Sequence, residues 1–136
     1  YTLSEEASDA EAAAIAAREN RADAVGGLDL GSQPAEAGRV LLGLAQRDTM
    51  NLSKSYAVML VEQLGERVNL LRNTHRFAGF AVLKSPTVPS VLLEIGYVSH
   101  REEERQLLDP AHRQKVVEAV AEATARHFEV QQAWYQ

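Results

Sequence analysis

The residue best placed to do chemistry in this 136-residue chain is Glu94. The run Val91-Leu92-Leu93-Glu94-Ile95 sets one carboxylate in a stretch otherwise fit for full burial. A lone buried carboxylate costs several kcal/mol unless it is paired, protonated or bound to a metal. Gly96 and a helix cap follow, so Glu94 falls near the C-terminal end of a strand, where open α/β sheets place their ligands. The same pattern also suits a glutamate that faces solvent from an edge strand or pairs with an arginine. Glu19 is a second anomaly, because Ala12, Ile15, Ala16, Glu19 and Ala22 share one helix face by three-and-four spacing. Arg18 or Arg21 could neutralise it, and alanine faces are often only partly buried.

Other reactive types lack the required context. His75, His100, His112 and His127 include no pair at the close helical spacing of a metal motif and no neighbour arrangement typical of a triad, and read as surface or cap residues. Ser90 and Ser99 lack the G-x-S-x-G setting of a nucleophile elbow, and no phosphate-cradling glycine pattern is present. With no cysteine, disulfides, thiolate metal sites and thiol nucleophiles are excluded. A net charge of −5 gives no broad positive field, which argues against nucleic acid or an anionic membrane as partner. No apolar run approaches the roughly 20 residues needed to span a bilayer.

The elements that must position Glu94 are legible from caps and periodicity. Composition and length fit one domain. Tyr1-Thr2-Leu3 reads as the tail of a strand from a longer parent. Ser8-Asp9-Ala10-Glu11 has the form of a capping box, the Ser8 hydroxyl accepting from the Glu11 amide, and opens a helix that runs to Val25 and stops at Gly26-Gly27. Leu28 to Gln33 reads as a loop, and Pro34 starts a second helix carrying Ala37, Val40, Leu41 and Leu44. A third begins near Asn51 or Ser53 and aligns Tyr56, Leu60, Leu64, Val68 and Leu71 for packing on a sheet. Phe77 to Leu83 and Ser90 to Ile95 read as two buried strands, with Pro86 and Pro89 confining their connection to a loop. Ser99-His100-Arg101-Glu102 repeats the capping-box form and opens a short charged helix ending near Leu108. Asp109-Pro110 starts the last helix, with Val116, Val117, Val120, Ala121, Thr124 and Phe128 as its inner face and a tail after it without assignment.

Several segments, taken in order, carry a family resemblance: Tyr1-Thr2-Leu3-Ser4; Arg18-Glu19-Asn20 before Gly26-Gly27; Ala78-Gly79-Phe80-Ala81-Val82-Leu83-Lys84-Ser85-Pro86; and Pro89-Ser90-Val91-Leu92-Leu93-Glu94-Ile95-Gly96-Tyr97-Val98-Ser99 with Glu102-Glu103-Glu104 after it. The chain resembles the C-terminal half of the zinc-dependent N-acetylmuramoyl-L-alanine amidases, especially the cell-division type. The resemblance implies an α/β fold, a mixed sheet flanked by helices with an inserted helical regulatory region, present here as a partial domain. Residues 1–130 would be the C-terminal part of one catalytic domain, about 8–50 an autoinhibitory helical region, and 131–136 a tail. It implies cleavage of the amide between N-acetylmuramic acid and the L-alanine of the stem peptide, with Glu94 as general base and acid beside zinc. Glu19 would occupy the open position of that zinc until an activator protein displaces its helix. The main zinc ligands, two histidines and a glutamate, would precede Tyr1, so the chain alone is expected to be inactive without the N-terminal half of the domain. Peptidoglycan as partner and a bacterial periplasmic or cell-envelope location complete what the resemblance implies. A non-catalytic regulatory or partner-binding fragment, with Glu94 structural, is the competing reading, and an unrelated α/β domain is a third.

Overall fold

The computed structural model describes the backbone of residues 1–25 and 36–134, and side chains except those of 24–42 and 134. The expected stop at Gly26-Gly27, the Leu28 to Gln33 loop, Pro34 and the side chains of Ala37, Val40 and Leu41 lie outside the described residues. The elements are β1 (Thr2–Leu3), α1 (Ala10–Val25), α2 (Glu36–Gly65), β2 (Phe77–Ala78), a 3₁₀ turn (Ala81–Leu83), α3 (Arg101–Leu108) and α4 (Pro110–Trp134). Among the described residues no helix is long and apolar enough to cross a membrane. The chain forms two compact units, Tyr1–Lys54 with His75–Leu92, and Ser55–Thr74 with Leu93–Gln136.

In the first unit β1 and β2 pair in parallel, Thr2 opposite Phe77 and Leu3 opposite Ala78. Thr2 N–H donates to the Arg76 carbonyl and Ser4 N–H to the Ala78 carbonyl, both at 3.0 Å. The core gathers Leu3, Ala12, Ile15, Ala16, Ala78, Phe80 and Leu83, with Tyr1, Met50 and Leu92 packed against it. The apolar stripe read on the first helix is therefore real through Ala16, whereas Ala22 is exposed. The cap differs from the capping box. Asp9 Oδ1, not the Ser8 hydroxyl, accepts from the Ala12 N–H at 2.9 Å, and Ser8 Oγ donates to Asp9 Oδ2. Asp9 and Glu11 are both engaged by the buried Arg76 guanidinium, which also lies 5.9 Å from the Tyr1 ring centroid. The guanidinium holds the Asp9 carboxyl below the usual carboxylate range, and the two carboxylates raise Arg76 further.

Two expected helices are one. Ser53, read as a possible helix start, bonds within the helix instead, its Oγ donating to the Thr49 carbonyl at 2.8 Å, and Thr49 Oγ1 likewise donates to the Ala45 carbonyl at 2.9 Å. The same hydroxyls hold the proline loop, Thr49 Oγ1 reaching the Pro86 carbonyl and Ser53 Oγ accepting from the Ser90 N–H, each at 2.8 Å.

Among the described residues, which are mostly helical, the sheet is smaller than expected, two parallel strands rather than a mixed sheet. The strand read over Phe77 to Leu83 stops after Ala78. Its later amides go elsewhere: Phe80 N–H bonds the Ala78 carbonyl and Leu83 N–H the Phe80 carbonyl, both locally, while Ala81 N–H bonds the Asn20 side chain of α1. Ser90 to Ile95 forms no strand. Leu92 exchanges both backbone bonds with Tyr1, at 2.6 and 3.0 Å, while the Ser90 amide is held by the Ser53 hydroxyl.

In the second unit α2 meets α4 through Tyr56, whereas Val68 and Leu71, read as part of the same face, lie beyond the helix end at Gly65. The Tyr56 hydroxyl bonds Thr124 Oγ1 at 2.7 Å, and the Tyr56 ring lies 4.8 Å from that of His127. Arg67 adds a bond to Glu122 at 2.6 Å. Leu60, Leu64, Ala119, Ala123 and His127 are buried. The inner face of α4 keeps the expected period but is rotated, since Val117 and Phe128 are 60% and 58% exposed. His127 thus belongs to a core, not to the surface, and burial pushes its pKa below the ordinary value. The helix itself continues to Trp134, through the residues read as a tail. Asp109 Oδ1 caps it by accepting from the Ala111 N–H at 3.0 Å, with Pro110 in the first turn, as the sequence indicated.

Candidate functional site

Glu94 sits in a segment of the second unit without regular secondary structure and is half-buried, between Leu93 (38% exposed) and Ile95 (52% exposed). Full burial of this run is not found: apart from the Leu92 pairing with Tyr1, its backbone joins no strand among the described residues. A half-buried carboxylate keeps part of its contact with water.

The turn after Glu94 is closely held. Gly96 has φ of +144°, a conformation that L side chains rarely adopt, and a Cβ there would come within 3.5 Å of Glu103 and 3.4 Å of Leu107 Cδ1. The Tyr97 N–H donates to Glu103 Oε2 at 2.7 Å, and the Tyr97 carbonyl accepts from the His100 N–H at 3.0 Å. His100 Nδ1 stands 3.5 Å from Glu103 Oε1. His100 occupies the cap position of α3 without a side-chain cap bond. The second capping box is therefore replaced by Glu103, which reaches back to Tyr97. The sequence signal for this contact was the glutamate cluster opening α3, but spacing alone pointed to Glu102.

Glu19 lies on α1 in the first unit, its side chain 34% exposed and paired with Arg18 at 2.9 Å. Arg18 thus supplies the neutralisation foreseen for this carboxylate. Glu19 and Glu94 belong to different units. The neighbouring Asn20 makes contacts that sequence reasoning missed: Nδ2 donates to the Gly79 carbonyl at 2.8 Å, and Oδ1 accepts from the Ala81 N–H at 2.7 Å. His75 bonds Thr2 Oγ1 through Nε2 at 3.0 Å, and its pKa is lowered, first by burial and also by the nearby Lys54 charge.

Among the described residues no group of three or more His, Cys, Asp or Glu side chains is placed to hold a metal ion. These side chains do not by themselves fit a zinc ion. A polar cleft of the second unit, lined by Arg67, Asn69, Gln106, His112 and Lys115 among others, takes in neither Glu94 nor Glu103.

Residues 5–126 match the family model for N-acetylmuramoyl-L-alanine amidase, Amidase_3. The chain belongs to this amidase family. Glu19, Glu94, Gly96 and Glu103 all fall within the matched residues. The chain is 40% identical to the N-acetylmuramoyl-L-alanine amidase AmiA of Escherichia coli (strain K12) over 124 residues, 90% of this chain and 42% of AmiA. It is 31% identical to the N-acetylmuramoyl-L-alanine amidase AmiC of Neisseria meningitidis serogroup B over 110 residues, 81% of this chain and 26% of AmiC. A probable cell wall amidase LytH of Staphylococcus saprophyticus is 33% identical over 75 residues, 55% of this chain and 26% of LytH. The amidase-family chain thus spans less than half the length of these curated relatives. The family expected from the Gly79-Phe80 and Pro89 to Ser99 segments is the family found.

Proposed function

We propose that this amidase-family chain is part of a peptidoglycan hydrolase that cleaves the amide between N-acetylmuramic acid and the L-alanine of the stem peptide, in cell-wall remodelling and daughter-cell separation. The family match over residues 5–126, with Glu94 inside it, supports this reading. Glu94 is the general base and acid. Its carboxylate takes a proton from the attacking water and returns it to the leaving amide nitrogen, a role open to a half-buried glutamate that water reaches. The zinc of this reading takes its principal ligands from outside the described residues, among which no metal-holding group forms.

Glu19 belongs to the same proposal as an autoinhibitory zinc ligand. Release from Arg18 frees its carboxylate, and an activator protein displaces α1 to restore activity. The location is the bacterial periplasm or cell envelope, and peptidoglycan is the partner.

The test is Glu94→Gln in the full-length protein, assayed by release of stem peptides from purified sacculi. Loss of a general acid and base lowers turnover by about 100- to 10,000-fold. A variant retaining activity within about threefold of the parent would remove Glu94 from the mechanism.

A further inference from the structure

We propose that Glu103 is a positioning residue for Glu94, fixing the Gly96-Tyr97 turn against α3 and so setting the direction in which the Glu94 carboxylate projects. The proposal rests on the reading of Glu94 as the proton-transferring group. A side chain's direction follows the torsions of its backbone, which a ladder normally fixes. Among the described residues no ladder includes Glu94, so the constraint comes from elsewhere.

Glu103 supplies it. Its Oε2 accepts from the Tyr97 N–H at 2.7 Å, three residues beyond Glu94. A charged acceptor makes this one of the stronger backbone contacts available. The Tyr97 carbonyl is held in turn by the His100 N–H, so both polar groups of one residue are tied to the start of α3. Gly96 completes the device: with φ of +144° it lets the backbone lie within ordinary contact of Glu103 and Leu107. Glu103 is in the first turn of α3, where the helix N-terminus favours an ionised carboxylate. His100 Nδ1, 3.5 Å from the other carboxylate oxygen, steadies the side chain from the far side. A small displacement of a proton-transfer group is costly to turnover while leaving substrate binding largely intact.

The test uses Glu103→Ala and Glu103→Gln, the second keeping an acceptor of the same reach. In the 136-residue chain, hydrogen exchange of the Tyr97 amide is expected to accelerate about tenfold in Glu103→Ala and to stay within about threefold in Glu103→Gln. In the full-length protein Glu103→Ala is expected to lower kcat about tenfold with KM within about twofold, and Glu103→Gln to restore most of the loss. An unchanged Tyr97 amide, an unchanged kcat, or a loss that glutamine does not rescue and that raises KM overturns the proposal. The exchange readout needs no turnover, so it separates the two readings. If Glu94→Gln retains activity while the Tyr97 amide responds as expected, the contact stands and the assignment of Glu94 is what fails.

Discussion

Replacing Asn20 with alanine removes two bonds at once, Nδ2 to the Gly79 carbonyl at 2.8 Å and the Ala81 N–H to Oδ1 at 2.7 Å. The Ala81 residue is buried, so its N–H loses its partner in a place that water reaches poorly. Each orphaned buried group costs about 1–3 kcal/mol. Gly79 is only half-buried, so water recovers part of its share. Alanine is also the better helix former at position 20, by about 0.5 kcal/mol. The net expectation is a loss of about 2–3 kcal/mol, read as a lower urea midpoint by circular dichroism and as faster exchange of the Ala81 amide. Asn20→Asp keeps the acceptor for Ala81 while losing the donor to Gly79, and is expected to fall between the two. An alanine variant within about 0.5 kcal/mol of the parent, with the Ala81 amide equally protected, would show that Asn20 does not hold this segment.

Glu19→Ala in the full-length protein is expected to raise basal release of stem peptides several-fold above the parent's; equal activity would count against autoinhibition by this residue. His127 is expected to titrate by NMR below its ordinary value near 6.5, because burial disfavours its cation. The unfolded chain then binds the extra proton more readily, so this contribution to stability is present above pH ~6.5 and is lost as pH falls toward the folded value. His127→Phe, which keeps a ring beside Tyr56, should flatten the acid side of the stability profile; an unchanged slope would refute the burial argument.

What the sequence made legible followed from local rules. The start of α4 at Asp109-Pro110, the end of α3 near Leu108 and the stripe Ala12-Ile15-Ala16 all depend on residues within a turn or two of one another. The family was legible because a glycine-phenylalanine segment and a proline-to-serine segment occur in order, and both lie within the residues that match the family. The misses arose where a polar side chain had two outlets. Ser53 looks like a helix start, yet it bonds back within α2 and also holds the Ser90 amide, while Thr49 does the same with the Ala45 and Pro86 carbonyls, which no spacing rule reveals. The strands over Phe77 to Leu83 and Ser90 to Ile95 were inferred from apolar content, but a strand also needs a neighbour for its amides, and here Asn20, Ser53 and Tyr1 take several of them. Glu103 escaped for the same reason, since its partner is a backbone amide outside its own helix.

The rotated face of α4 has a consequence for how this chain tolerates change. Ala119 and Ala123 have no measurable exposure, while the bulkier Val117 and Phe128 stand largely in solvent. A methyl group at such a point sets the spacing of everything around it, and an added carbon has no empty volume to enter. A saturation library aimed at Val117 and Phe128 would therefore sample positions that packing among the described residues constrains little. The least replaceable positions of α4 are among its smallest side chains, which a hydropathy ranking places far down.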